Sequence, residues 1–177
     1  MNVDKRSNSY YTRDDMPRVD AILRDTEYLK YVRQIEELET DRIFCRHNME
    51  HFLSVARIAC IINMEEECGI DRELIYAAAL LHDIGRGQEY LTGVRHEEES
   101  ARLAPGIIQR VGFADKEEAD IVSAIRTHRD ADSACREMNS LNALIYRADK
   151  LSRSCFYCPA SDECRKDGYK RNLSIRV

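Results

Sequence analysis

The sequence predicts an all-α protein, a single compact helical bundle of about six helices. Apolar residues recur at three- and four-residue intervals along most of the chain, and no strand-like alternation of useful length occurs. Gly and Pro are sparse, at seven and three of 177 residues, which favours helices over turn-rich folds. There is no internal repeat, and the length suits one hydrophobic core better than two.

Residues 1–17 mix Asn, Ser, Tyr, Arg and Asp without periodicity and read as a loose N-terminal segment; the helical core is expected over 18–154. From Val19, one apolar face runs through Ile22, Leu23, Leu29, Val32, Ile35 and Leu38, predicting a single first helix. A second spans about Asn48 to Glu66, with Phe52, Val55, Ala56, Ala59 and Ile62 on its buried stripe, and stops near Gly69. Asp71 is an N-cap for a third helix through Leu74, Ile75, Ala78 and Leu81, with Gly85 as its stop. His96 to Gly112 has a helical pattern that Pro105-Gly106 is expected to kink or interrupt. Asp115 with Glu118 resembles a capping box opening a helix through Ile121, Val122, Ile125 and His128. Asn139 or Ser140 opens the last, through Leu144, Ile145 and Leu151.

Charged residues make up 33% and the hydrophobic class 44% of the chain, a globular mixture that excludes disordered and collagen-like classes. A net charge of -5 gives no overall basic field, so nucleic acid is not the default partner and an anionic ligand must be attracted locally. The apolar stretches fall far short of the roughly 20 residues of a membrane span. The first residues lack the apolar core of a signal peptide. The expectation is a cytoplasmic protein without a membrane partner; oligomer formation stays open.

The chemistry concentrates in histidines and aspartates. His82 and Asp83 sit where a helix ends and the terminating backbone lets adjacent side chains converge on one cation. Imidazoles mixed with carboxylate suit first-row divalent metals and leave positions open for water. His47 and His51, four residues apart, would share a helix face, so either suits as a ligand.

Several phrases resemble the HD superfamily of metal-dependent phosphohydrolases: Glu50-His51 followed by Val55-Ala56, Ala79-Leu80-Leu81-His82-Asp83-Ile84-Gly85, and Ala148-Asp149-Lys150. The resemblance covers roughly residues 45–154, and the His-Asp-Ile-Gly phrase is its most specific part. It implies His51, His82, Asp83 and Asp149 as metal ligands, choosing His51 over His47. His96 and His128 resemble the extra histidines of two-metal subgroups, in which the Asp of the His-Asp pair, here Asp83, bridges the ions. One or two ions of Fe, Mn, Ni, Co or Zn are therefore expected. The implied reaction is hydrolysis of a phosphate ester or anhydride, with a nucleotide as substrate class, through a metal-bound hydroxide. Arg86 and Lys150 are the expected phosphate-binding and catalytic partners of Asp83, with Arg129 also substrate-binding and Arg46 and Arg153 weaker candidates. The same residue set is compatible with a di-iron oxygenase, and the domain could instead be an inactive module that senses nucleotides or binds a partner.

The tail, 155–177, carries Cys155, Cys158 and Cys164. A Cys-x2-Cys pair begins many structural zinc sites, but the local run lacks a fourth ligand. Cys45 or Cys135 could complete it; otherwise these are reduced thiols.

Overall fold

Nine α-helices and two short 3-10 turns make up the regular structure of residues 16–166 and 168–175, which the computed structural model describes. The all-α expectation holds; the helices outnumber the expected six because the first run is two helices and two short helices, Arg86–Thr92 and Ala131–Ala134, lie where none was expected. Residues 1–15 of the expected loose segment lie outside the described residues, whereas Pro17 already opens α1 (Pro17–Arg24).

The expected single first helix is two. Asp25 has extended backbone, and its carboxylate accepts the N–H groups of Glu27 and Tyr28 at 3.0 Å, so α2 (Thr26–Leu38) starts afresh behind an N-cap. Both helices still bury one face, through Val19, Ile22, Tyr28, Val32 and Ile35.

Next, α3 (Met49–Glu65) begins behind Asn48, whose side chain accepts from His51 N at 3.1 Å. Asp71 caps α4 (Arg72–Leu81) as expected. Gly85 is not a left-handed helix stop: its φ is -80°, and it leads directly into a further helix, α5 (Arg86–Thr92). Glycine is needed there for close approach, since a Cβ would lie 2.6 Å from Ser100 N and 2.7 Å from His96 O.

Pro105 does not interrupt α6 (His96–Arg110). Ala101, Ala104, Ile107 and Ile108 bury the helix on both sides of it, and this packing outweighs one missing backbone bond. Ala114 rather than Asp115 caps α7 (Asp115–Thr127), and Glu117, not Glu118, folds back to accept from Ala114 N at 2.8 Å. A single turn, α8 (Ala131–Ala134), precedes α9 (Leu141–Leu151), which Ser140 caps.

The centre of the bundle is α3, α4, α7 and α9, with α6 against α7 and α5 between α2 and α6. Ala77, Ala78 and Ala79 are wholly buried in α4, where small side chains let α4 approach its neighbours; overpacking at such sites costs about 1–3 kcal/mol. Arg18 ties α1 to the bundle by pairing with Glu73 at 2.6 Å and Glu117 at 2.8 Å. No helix among the described residues is long and apolar enough to cross a membrane.

Candidate metal centre

Five helix ends meet at one point and carry the charged groups that the rest of the core excludes. His51 lies in the first turn of α3, His82 and Asp83 just beyond α4, His96 at the first position of α6, His128 at the end of α7, and Asp149 in the last turn of α9. All but His51 are buried, and His51 is nearly so.

The carboxylate of Asp83 is the hub. Its Oδ2 faces His82 Nε2 at 3.4 Å and His51 Nε2 at 3.7 Å. Its Oδ1 faces His96 Nε2 at 3.1 Å and His128 Nε2 at 3.5 Å. Asp149 Oδ1 adds a second carboxylate 3.6 Å from His51 Nε2. His51, His82 and Asp149 thus form one potential ligand group, and His82, Asp83 and His128 an overlapping one.

The outward nitrogens orient the rings. The carbonyls of Ala79 and Ile125 accept from His82 Nδ1 at 2.7 Å and His128 Nδ1 at 2.6 Å. These are i-3 carbonyls at helix ends, which have no partner in their own helix. His96 Nδ1 donates to Glu89 Oε2 at 2.8 Å. An acceptor-only partner places the ring hydrogen on Nδ1, so each Nε2 offers a lone pair to the centre. The Nε2 atoms of His96 and His128 then face each other at 3.3 Å, an arrangement that a shared cation or a proton would relieve. His51 Nε2, His82 Nε2 and Asp83 Oδ1 are buried without hydrogen-bond partners. Buried polar atoms are rarely left so, and the donor set fits a divalent transition metal.

The electrostatics favour the ligating forms of His51 and of both aspartates. Burial pushes the His51 imidazole down to about 4. Burial opposes charge on Asp83 and Asp149, yet Arg86 holds Asp83, and Lys150 holds Asp149, below the usual carboxylate range.

His47 lies outside α3, before its N-cap, so it shares no helix face with His51. Glu39 holds it instead, accepting from its backbone N at 2.7 Å and its Nδ1 at 2.5 Å, which aims Nε2 to 3.9 Å from Asp83 Oδ2. Arg86 spans Asp83 Oδ1 at 3.3 Å and Glu89 at 3.1 Å, so its guanidinium is already paired. Lys150 Nζ donates to His128 O at 3.0 Å and pairs with Asp149, locking the ends of α7 and α9. The sequence reading missed Glu39, Glu89 and Glu97; only the proximity of Glu89 and Glu97 to His96 signalled two of them.

A cavity of about 1250 Å³ opens beside His47, His51, His128 and Asp149. Nine Arg and Lys side chains line it against three carboxylates, a local basic excess inside a chain of net charge -5. Arg129, Arg153 and Arg46 are among them, as are Arg86 and Lys150.

A helical bundle that gathers a His, a His-Asp pair and an Asp at converging helix ends defines a class of metal-site protein. The HD domain profile matches residues 48–154, and the chain belongs to that family. It is 42% identical over 160 residues to an uncharacterised protein of Clostridium beijerinckii, covering 90% of this chain and 99% of that one. It is 30% identical to ribonuclease Y of Acetivibrio thermocellus, over 82% of this chain but only 30% of that enzyme. The crystal structure of a predicted HD superfamily hydrolase from an uncultured Thermotogales bacterium superposes with a TM-score of 0.61 at 28% identity, covering 85% of this chain and 81% of that one.

Proposed function

We propose that the protein is a metal-dependent phosphohydrolase acting on a phosphate ester or anhydride, with a nucleotide as its substrate class. The observation that carries this reading is the basic cavity beside the His/Asp centre, because an overall acidic chain has concentrated its cations where a phosphate would approach. The likeness to a predicted hydrolase and to a ribonuclease supports hydrolysis of phosphorus esters over oxygen chemistry.

His51, His82, Asp83, His96, His128 and Asp149 would hold one or two divalent ions. When bound, such an ion lowers the pKa of water and polarises a phosphoryl oxygen. Asp83 remains ionised and shared between the two halves of the centre, while Lys150 holds Asp149 in place. Arg129 and Arg153 present forked donors that suit the oxygens of a phosphate.

The test is to load the purified chain in turn with Fe, Mn, Ni, Co and Zn and assay nucleotides and a short oligoribonucleotide for release of phosphate or mononucleotide. Metal-dependent release, lost in Asp83→Ala, is expected. Metal uptake with oxygen consumption and no release would overturn the reading in favour of an oxygenase; tight nucleotide binding without turnover under every metal would favour a sensing module.

A further inference from the structure

Four of the seven cysteines line the wall of one cavity, and they come from two distant parts of the chain: Cys45 from the segment before α3, and Cys155, Cys158 and Cys164 from the tail after α9. Cys60, Cys68 and Cys135 do not line it. All four are free and partly buried, and Lys166 Nζ donates toward Cys45 Sγ at 3.9 Å, bringing the tail against the segment before α3.

Among the described residues, the tail around these thiols buries little apolar surface. Of the described residues from 152 to 175, the buried hydrophobic side chain is Ala160, while Phe156, Tyr157, Leu173 and Ile175 are exposed. Its anchors are polar: Asn172 Nδ2 donates to the carbonyls of Lys150, Leu151 and Arg153, and Arg171 donates to Ser161 O at 3.1 Å. The segment carrying Cys45 likewise exposes Ile43 and Phe44. Chain segments without a core of their own commonly depend on a covalent or metal staple.

We propose that Cys45, Cys155, Cys158 and Cys164 together hold a second, structural metal centre with four thiolate ligands, distinct from the His/Asp centre. Thiolates select zinc or an iron-sulfur cluster, and both take four of them. Among the described residues no three of these thiols lie within 4.8 Å of one another, whereas a single zinc gathers its sulfurs to about 3.8 Å. The metal itself would therefore draw the two segments together, each thiol losing its proton as it binds. The staple would fix the cavity wall that presents Arg153 and Arg171.

The test uses the full chain and reads sulfur ligation alone, so it stands or falls independently of hydrolysis and of the His/Asp centre. Added Co(II) is expected to give a thiolate-to-metal charge-transfer band that is lost in Cys158→Ser, weakened in Cys45→Ser and unchanged in Cys60→Ser and Cys135→Ser. Zinc that persists in anaerobically purified Asp83→Ala and is lost in Cys158→Ser, or iron with acid-labile sulfide and visible absorption, would identify the native occupant. Should the serine variants misfold, metal protection of the wild-type thiols from alkylation serves instead, with four of seven expected to be shielded. Absence of a charge-transfer band, its persistence at full strength in Cys45→Ser and Cys158→Ser, or alkylation unchanged by metal would overturn the proposal.

Discussion

Gly85 donates its backbone N–H to the hydroxyl of Ser100 at 2.9 Å, which docks the turn after Asp83 against the first turns of α6. A methyl group at Gly85 would meet backbone atoms of Ser100 and His96 at 2.6 and 2.7 Å, and backbone cannot rotate away as a side chain can. Gly85→Ala should therefore destabilise the fold by about 1–3 kcal/mol, as overpacking does, and push His96 away from Asp83. Urea unfolding checks the first effect. Isothermal titration with Mn(II) or Zn(II) checks the second, with affinity expected to fall more than the loss of stability accounts for.

The facing nitrogens of His96 and His128 make a prediction about metal removal. With both lone pairs turned inward beside Asp83, the chelated protein must keep unpaired buried groups or take up protons. A metal that binds only the folded state adds about 2.7 kcal/mol at a hundred times its dissociation constant. Thermal melting before and after chelation should show a drop in Tm that the divalent ion restores. In His96→Ala the difference should shrink, because one ligand is gone.

The His82-Asp83 pair pointed to a cation by its place at a helix end, whereas His51, Asp149, His96 and His128 were legible only through the resemblance of their phrases to the HD superfamily. Glu39 was not legible. It reaches His47 from eight residues away through a non-helical segment, and no local pattern reports such a contact. The break at Asp25 was hidden because the apolar spacing continues across it, and α5 because Gly85 reads as a stop when its role is close packing. The basic cavity was hidden for a different reason: its cations come from four separate stretches of a chain whose total charge has the opposite sign.

Glu39 supplies a pH-dependent element of stability. Burial opposes its charge, but hydrogen bonds from His47 and Tyr90 outweigh that and hold its carboxyl at about 2, below the ordinary value of 4.5. A folded pKa below the unfolded one means that the stabilisation is fully present above about 4.5 and is lost as pH falls toward 2. Glu39→Gln should thus be destabilised near neutrality, by about 1.5–3 kcal/mol if the charge-assisted bonds are lost. The gap to wild type should narrow as pH falls through that window, as followed by denaturant unfolding at several pH values. An equal gap at every pH would assign the effect to packing alone.

Asp25 joins two jobs, capping α2 and accepting a fork from Arg110 at 2.8 and 3.0 Å across to α6. Asp25→Ala is expected to cost about 1 kcal/mol for the cap, and the exposed pair with Arg110 adds little more. Asp25→Asn or Asp25→Ser should recover most of the loss because either can cap. Circular dichroism with chemical unfolding separates these cases: recovery by Ser identifies the cap, and failure of both identifies the ion pair.

Arg129 offers the cleanest test of the basic cavity. It lines the space beside His128 and is half exposed, with carboxylates of Glu97 and Glu89 at 3.7 and 4.0 Å, so little of the fold depends on it. Arg86 and Lys150, by contrast, are committed to Asp83 and Asp149, and changing either would disturb the centre itself. If an anionic substrate enters here, Arg129→Ala removes a charge-assisted contact worth about 1.5–3 kcal/mol, or roughly a ten- to hundredfold rise in KM. Because that contact would form on binding and persist through the reaction, kcat should stay close to wild type. Arg129→Lys keeps the charge but not the fork and should fall between the two. Steady-state kinetics on metal-loaded protein decides it; a loss confined to kcat would instead place Arg129 at the reacting phosphate.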